Sequence, residues 1–180
     1  MDVLIINGSP AIGKTTIANC IHADLGGAHI DMGKFREMYL DRAWAGANQT
    51  EAQMAFDLAC HTAKVFLSNG IRPIVLVDLS PVHVAQVAYQ FAGIDYGIAT
   101  LTVTDRALLE RRMTDPTRDS GFNDIDRAWA WNRAELSRDL LPQETRIDTS
   151  DLDIQATRRA VINLMGNVKL GEKKGMGETR

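Results

Sequence analysis

The chain has 180 residues, 24% of them charged, and a formal net charge of −3. That length suits one domain with its own core, and the near-neutral balance excludes a general electrostatic pull towards nucleic acid or anionic membrane. The two cysteines, Cys20 and Cys60, lie far apart without metal-ligand spacing and read as buried free thiols. There is no apolar run of membrane-spanning length and no signal peptide is recognised, so the expected place of work is the cytoplasm.

The first element is Val3-Leu4-Ile5-Ile6-Asn7, an apolar run of strand length. It feeds directly into Gly8-Ser9-Pro10-Ala11-Ile12-Gly13-Lys14-Thr15, with Thr16 next. This stretch fits G-x-x-x-x-G-K-[ST] at every fixed position, between a strand and a helix over residues 15–25. Glycines let successive N–H groups curl into one nest, which the helix N-terminus and the Lys14 ammonium make positive. Such a cradle holds a triphosphate, and the Thr15 hydroxyl is placed to reach Mg²⁺.

Gly26-Gly27 end the helix, and Ala28-His29-Ile30 reads as a short strand leading to Asp31. Residues 32–44 read as a helix carrying Phe35, Met38, Tyr39 and Trp44 among Lys34, Arg36 and Glu37. A long helix follows over residues 50–69, with Thr50 as cap, Gln53 completing a capping box, and Met54, Ala55, Leu58, Thr62, Val65 and Phe66 as its buried stripe. Ile74-Val75-Leu76-Val77 is apolar on both faces, the mark of a central parallel strand, and it ends in Asp78. Ser80-Pro81 opens the next helix.

The second half continues the alternation. A strand over 98–103 is followed by a helix over 107–113 capped by Thr104 or Asp105. Residues 114–123 form a polar loop holding Pro116, Arg118 and Gly121. A helix over 124–141, a strand over 145–148 and a helix from Thr149-Ser150-Asp151 to Met165 complete the pattern. Strands alternating with helices predict an α/β sandwich on a parallel sheet. The domain is expected over residues 1–167 with a lid at 114–124, and 168–180 as a flexible tail.

Ligands of open α/β sheets gather at the carboxyl ends of the strands. Asn7, Asp31 and Asp78 all stand there. Asp78 has the pattern of a Walker B carboxylate that holds Mg²⁺ or orients the attacking group; capping the Ser80-Pro81 turn is the bland alternative. Asp31 can orient an acceptor alcohol and take its proton, and can equally be the N-cap of the next helix. Arg118 in the loop is the candidate to neutralise charge on the transferring phosphoryl group, Arg111 can stack on a base, and Arg112 reads as a solvated charge. Arg36 can bind an anionic acceptor or be a surface charge beside Glu37.

Together these residues resemble the small P-loop kinases: shikimate and gluconate kinases, nucleoside monophosphate kinases and chloramphenicol phosphotransferase-like proteins. The likeness rests on Gly8 to Thr15, Asp31, Asp78, Leu109-Glu110-Arg111 leading to Arg118, and Ile147-Asp148-Thr149-Ser150, within residues 1–165. It implies a three-layer fold with a five-stranded parallel sheet in order 2-3-1-4-5, a small lid and ATP as donor. It also implies that Asp31 meets the acceptor hydroxyl and Arg111 lies against adenine. Asp78 is followed by Leu79-Ser80-Pro81, where monophosphate kinases carry an arginine-bearing segment and shikimate kinases a glycine cluster, so neither acceptor carries over.

The function expected is ATP- and Mg²⁺-dependent transfer of the γ-phosphoryl group to a hydroxyl or phosphate of a small-molecule acceptor, by a monomer or homodimer. Lys14, Asp31 and Arg118 would be catalytic; Gly8 to Thr16 and Arg111 would bind the nucleotide; Thr15 and Asp78 the metal; and Asp31, Arg36 and Asp78 the acceptor. The alternative is a regulatory ATPase acting on a protein partner. No Asn-Lys-x-Asp signature for guanine is present.

Overall fold

Every residue of Val3–Gly8 (β1) is buried, and a strand with no exposed face belongs at the centre of a sheet. The structure, a computed structural model, describes residues 1–40, 47–118 and 120–166. It sets β1 between β3 (Ile74–Val77) and β4 (Tyr96–Thr102), with β2 (Ala28–Asp31) outside β3 and β5 (Glu144–Asp148) outside β4. The five strands are all parallel in order β2-β3-β1-β4-β5, with Val3 in register with both Ile74 and Tyr96.

Alternation along β1 divides the core in two. Val3 and Ile5 face α3 (Gln49–Ser68) and α4 (Pro81–Gln90), with Phe56, Ala59, Val84 and Phe91. Leu4 and Ile6 face α1 (Lys14–Leu25), α5 (Arg106–Met113) and α7 (Ile154–Leu164), with Ile17, Ile21, Leu109 and Val161. Each fully buried aliphatic side chain stabilises the fold by roughly 1.5–3 kcal/mol. Helices on both faces leave the carboxyl ends of the strands as the open edge, where Asn7, Asp31 and Asp78 emerge.

Several element boundaries differ from those expected. The long helix is capped by Asn48, not Thr50: Glu51 N donates to Asn48 Oδ1 at 3.0 Å, and the Glu51 carboxylate accepts from Asn48 N at 3.4 Å. Its inner stripe is Ala55, Phe56, Ala59, Cys60, Ala63 and Leu67, whereas Met54, Leu58 and Val65 are exposed. Small residues on the inner face let the helix lie close to the sheet, and apolar content on nearly every side hid which stripe that was. α2 (Met32–Glu37) is shorter than its pattern suggested; Trp44 and Arg42 lie outside the described residues.

α6 (Ile125–Ser137) stops before Leu141 because Arg138 turns extended at φ −73° and ψ 156°. α7 is capped by Asp153, whose carboxylate accepts from Ala156 N, and not by Thr149-Ser150. The tail expected over 168–180 lies outside the described residues. No helix among the described residues is long and apolar enough to cross a membrane.

Candidate functional site

The loop between β1 and α1 has a backbone that few sequences tolerate. Gly8 has φ 135°, and a Cβ there would stand 2.5 Å from Leu101 O on β4. Gly13, the N-cap of α1, has φ 104°, and Ala11 takes a left-handed φ of 64°. Only a side-chain-free residue fits the first of these on steric grounds, and the second on conformational grounds. The result is a loop closing onto the N-terminus of α1, the end at which a helix favours negative charge.

Lys14 is buried in this loop. Its Nζ donates to Gly8 O and Ser9 O, each at 3.0 Å, and lies 3.9 Å from Asp78 Oδ1. Burial lowers its pKa, opposed first by Asp78 and then by Asp31; Arg118 adds to the lowering and Glu135 opposes it. Thr15 and Thr16 are exposed on the first turn of α1.

Asp31 ends β2 and also caps α2, accepting from Gly33 N at 2.9 Å. The N-cap expected for it is therefore present, and the cap fixes the direction of the carboxylate. Burial raises its pKa, and the neighbouring Asp78 raises it further. Asp78 carries a left-handed φ of 66°, a conformation unusual for a residue other than glycine, and its side chain is 48% exposed. Strained backbone of this kind collects at functional sites. Both carboxylates lie close to the side-chain-free Gly33.

The arginines singled out from the sequence differ in their surroundings. Arg36 forms a two-pronged ion pair with Glu51, with Nε–Oε1 at 2.5 Å and Nη2–Oε2 at 2.6 Å; Glu51 also accepts from the Tyr39 hydroxyl at 3.2 Å. The Arg36 hydrogen bond holds the Glu51 carboxyl below its ordinary pKa. Arg118 braces its own loop, donating from Nη1 to Phe122 O at 2.5 Å and from Nη2 to Ser120 Oγ at 3.0 Å. Arg111 is exposed.

Arg112 is not the solvated charge it resembled. It is half-buried and bonded to both the loop and the turn after β5, donating to Ile12 O at 3.3 Å and Thr149 O at 2.9 Å. Burial lowers its pKa.

Two further residues went unnoticed in the sequence. Glu135, only 1% exposed, accepts from Asn7 Nδ2 at 3.2 Å, Trp131 Nε1 at 3.2 Å and Arg138 Nε at 2.7 Å. Glu144, also buried, pairs with Arg138 and accepts from the Thr100 hydroxyl. This network ties α6 to the last side chain before Gly8. An arginine three residues after Glu135 was the available signal, but such pairs are ordinary on helix surfaces.

No protein-family model and no curated protein matches the sequence. Solved structures do match. A gluconokinase from Sinorhizobium meliloti superposes with a TM-score of 0.65 at 13% identity, covering 91% of each chain. The fold is that of the small P-loop kinases. A tunicamycin resistance protein from Deinococcus radiodurans shares this fold at a TM-score of 0.64 and 16% identity, over 91% of this chain and 95% of that one. So does a shikimate kinase from Bacteroides thetaiotaomicron, at 0.62 and 13% identity, over 91% and 97%. In this P-loop kinase fold the Lys14 loop, Asp31 and Asp78 occupy three neighbouring strand ends of one sheet edge.

Proposed function

We propose that the chain is an ATP- and Mg²⁺-dependent phosphotransferase that moves the γ-phosphoryl group to a hydroxyl or phosphate of a small molecule. The observation that carries this reading is the placement of Lys14, buried in the loop with its Nζ on Gly8 O and Ser9 O and 3.9 Å from Asp78 Oδ1. A triphosphate cradle with a carboxylate across from it suits phosphoryl transfer, in which positioning and charge neutralisation do most of the work.

In this reading the loop N–H groups and Lys14 bind and orient the phosphates of ATP. Lys14 exchanges its two loop carbonyls for phosphate oxygens. Asp31, with its raised pKa, holds the acceptor hydroxyl and receives its proton. Arg118 on the segment 114–124 offsets charge and helps exclude water. Thr15 and the half-exposed Asp78 offer two oxygen ligands, which suits Mg²⁺, an ion that keeps several waters and takes its remaining ligands from phosphates. When bound, it would neutralise charge on the phosphate oxygens.

The test is acceptor-stimulated ADP release from ATP and Mg²⁺ across panels of nucleosides, nucleotides, sugars and antibiotics. Release stimulated by a small molecule, lost in Lys14→Met and in Asp31→Asn while Asp31→Asn still binds ATP, supports the proposal. Stimulation only by a protein would replace it with a regulatory ATPase.

A further inference from the structure

Arg112 stands on the last turn of α5, remote from the strand that carries the loop. Its Nη1 donates to Ile12 O at 3.3 Å and to Thr149 Oγ1 at 3.0 Å, and its Nη2 donates to Thr149 O at 2.9 Å. Thr149 is itself fixed: its N donates to Thr102 O at 2.8 Å, its hydroxyl to the same oxygen at 3.1 Å, and it is 2% exposed. One guanidinium thus locks the loop to the end of β4 through the turn after β5.

The contact falls at a telling atom. Ile12 lies between Ala11 at φ 64° and Gly13 at φ 104°, the most contorted part of the loop. A peptide unit is planar and trans, so its C=O and N–H point in opposite directions. Holding the Ile12 carbonyl towards Arg112 therefore aims the Gly13 N–H the other way. A neutral side chain at 112 would remove the donor that holds that carbonyl, and a lysine could not span the two carbonyls and the hydroxyl as a planar fork does.

We propose that Arg112 is a positioning residue for the phosphate cradle, aiming the Gly13 N–H through the Ile12 carbonyl, with Thr149 holding Arg112 in turn. This rests on the reading of the loop as a triphosphate site. It differs from any contact with a nucleotide base, because it acts on the phosphates alone.

The probe is inorganic tripolyphosphate, compared with ATP, in calorimetric titrations with Mg²⁺ of the wild type, Arg112→Ala, Arg112→Lys, Thr149→Val and the Arg112→Ala/Thr149→Val pair. Arg112→Ala is expected to weaken tripolyphosphate and ATP by the same factor, about ten-fold, the worth of a hydrogen bond to a charged group. Arg112→Lys should recover part of that. Thr149→Val should weaken tripolyphosphate about two- to three-fold in the wild type and no further once Arg112 is absent, as coupled residues do. A purely structural role would lower the melting temperature and leave tripolyphosphate affinity unchanged in the folded variants. Wild-type affinity for tripolyphosphate in Arg112→Ala overturns the proposal, even if ATP binds worse. Should Arg112→Ala not fold, unchanged affinity in both Arg112→Lys and Thr149→Val overturns it. A wild type that binds neither ligand sinks the triphosphate reading itself, without recourse to any variant.

Discussion

The carboxylates of Asp31 and Asp78 both lie beside Gly33. A methyl group at Gly33 would stand 3.0 Å from Asp31 Oδ1 and 2.9 Å from Asp78 Oδ2. Both atoms end movable side chains, so the carboxylates, not the backbone, would give way. Gly33 is helical and has no left-handed φ, and alanine is favoured over glycine in helices by about 1 kcal/mol. Gly33→Ala should therefore keep its urea midpoint within the equivalent of about 1 kcal/mol of wild type. Acceptor-stimulated turnover should fall at least ten-fold. Unchanged turnover would show that the spacing of the two carboxylates is immaterial.

Asp31→Asn should separate activity from stability. Burial, reinforced by Asp78, raises the Asp31 pKa in the folded state. A raised carboxyl binds its proton more tightly when folded, so its contribution to stability is present below the ordinary carboxylate range and is lost as pH rises through the raised value. Asparagine keeps an oxygen to cap Gly33 N and carries no charge. The variant should turn over poorly yet melt higher than wild type at pH 7, with the difference closing under acid conditions. A lower melting temperature at pH 7 would contradict this account.

Glu51 and Arg36 give the opposite pH dependence. The Arg36 hydrogen bond lowers the Glu51 pKa, so the stability it contributes is present above the ordinary carboxylate range and is lost as pH falls through the lowered value. Glu51→Gln should cost about 2–3 kcal/mol at pH 7, because it removes the two-pronged acceptor of a partly buried guanidinium. The deficit relative to wild type should shrink below about pH 4. Urea titrations at the two pH values measure both.

Glu135 should matter to the fold despite looking like a surface charge. Its removal leaves the indole N–H of Trp131 without its acceptor and strips one partner each from Asn7 and Arg138. Glu135→Ala is expected to destabilise by about 3 kcal/mol in urea unfolding. A loss under about 0.5 kcal/mol, the range typical of surface substitutions, would place Glu135 outside the network.

Much of this molecule was legible in its sequence because the signals are local. Val3 to Ile6 and Ile74 to Val77 are apolar without alternation over strand length, which suits a central parallel strand, and the glycines of the loop follow from backbone sterics at single residues. Asp31 and Asp78 could be placed at strand ends by counting. The partners of side chains were not legible, because they depend on atoms far apart in the chain. Nothing beside Arg36 in the sequence names its partner, and the fold brings it to Glu51, fifteen residues on. Arg112 read as solvated, yet the fold carries it to Ile12, one hundred residues back. The buried stripe of the long helix was chosen by the sheet it packs on. Hydrophobic pattern and chain geometry set the strands and the loop within short windows; where a charge finds its counterpart is decided by how the layers close, and only tertiary packing does that.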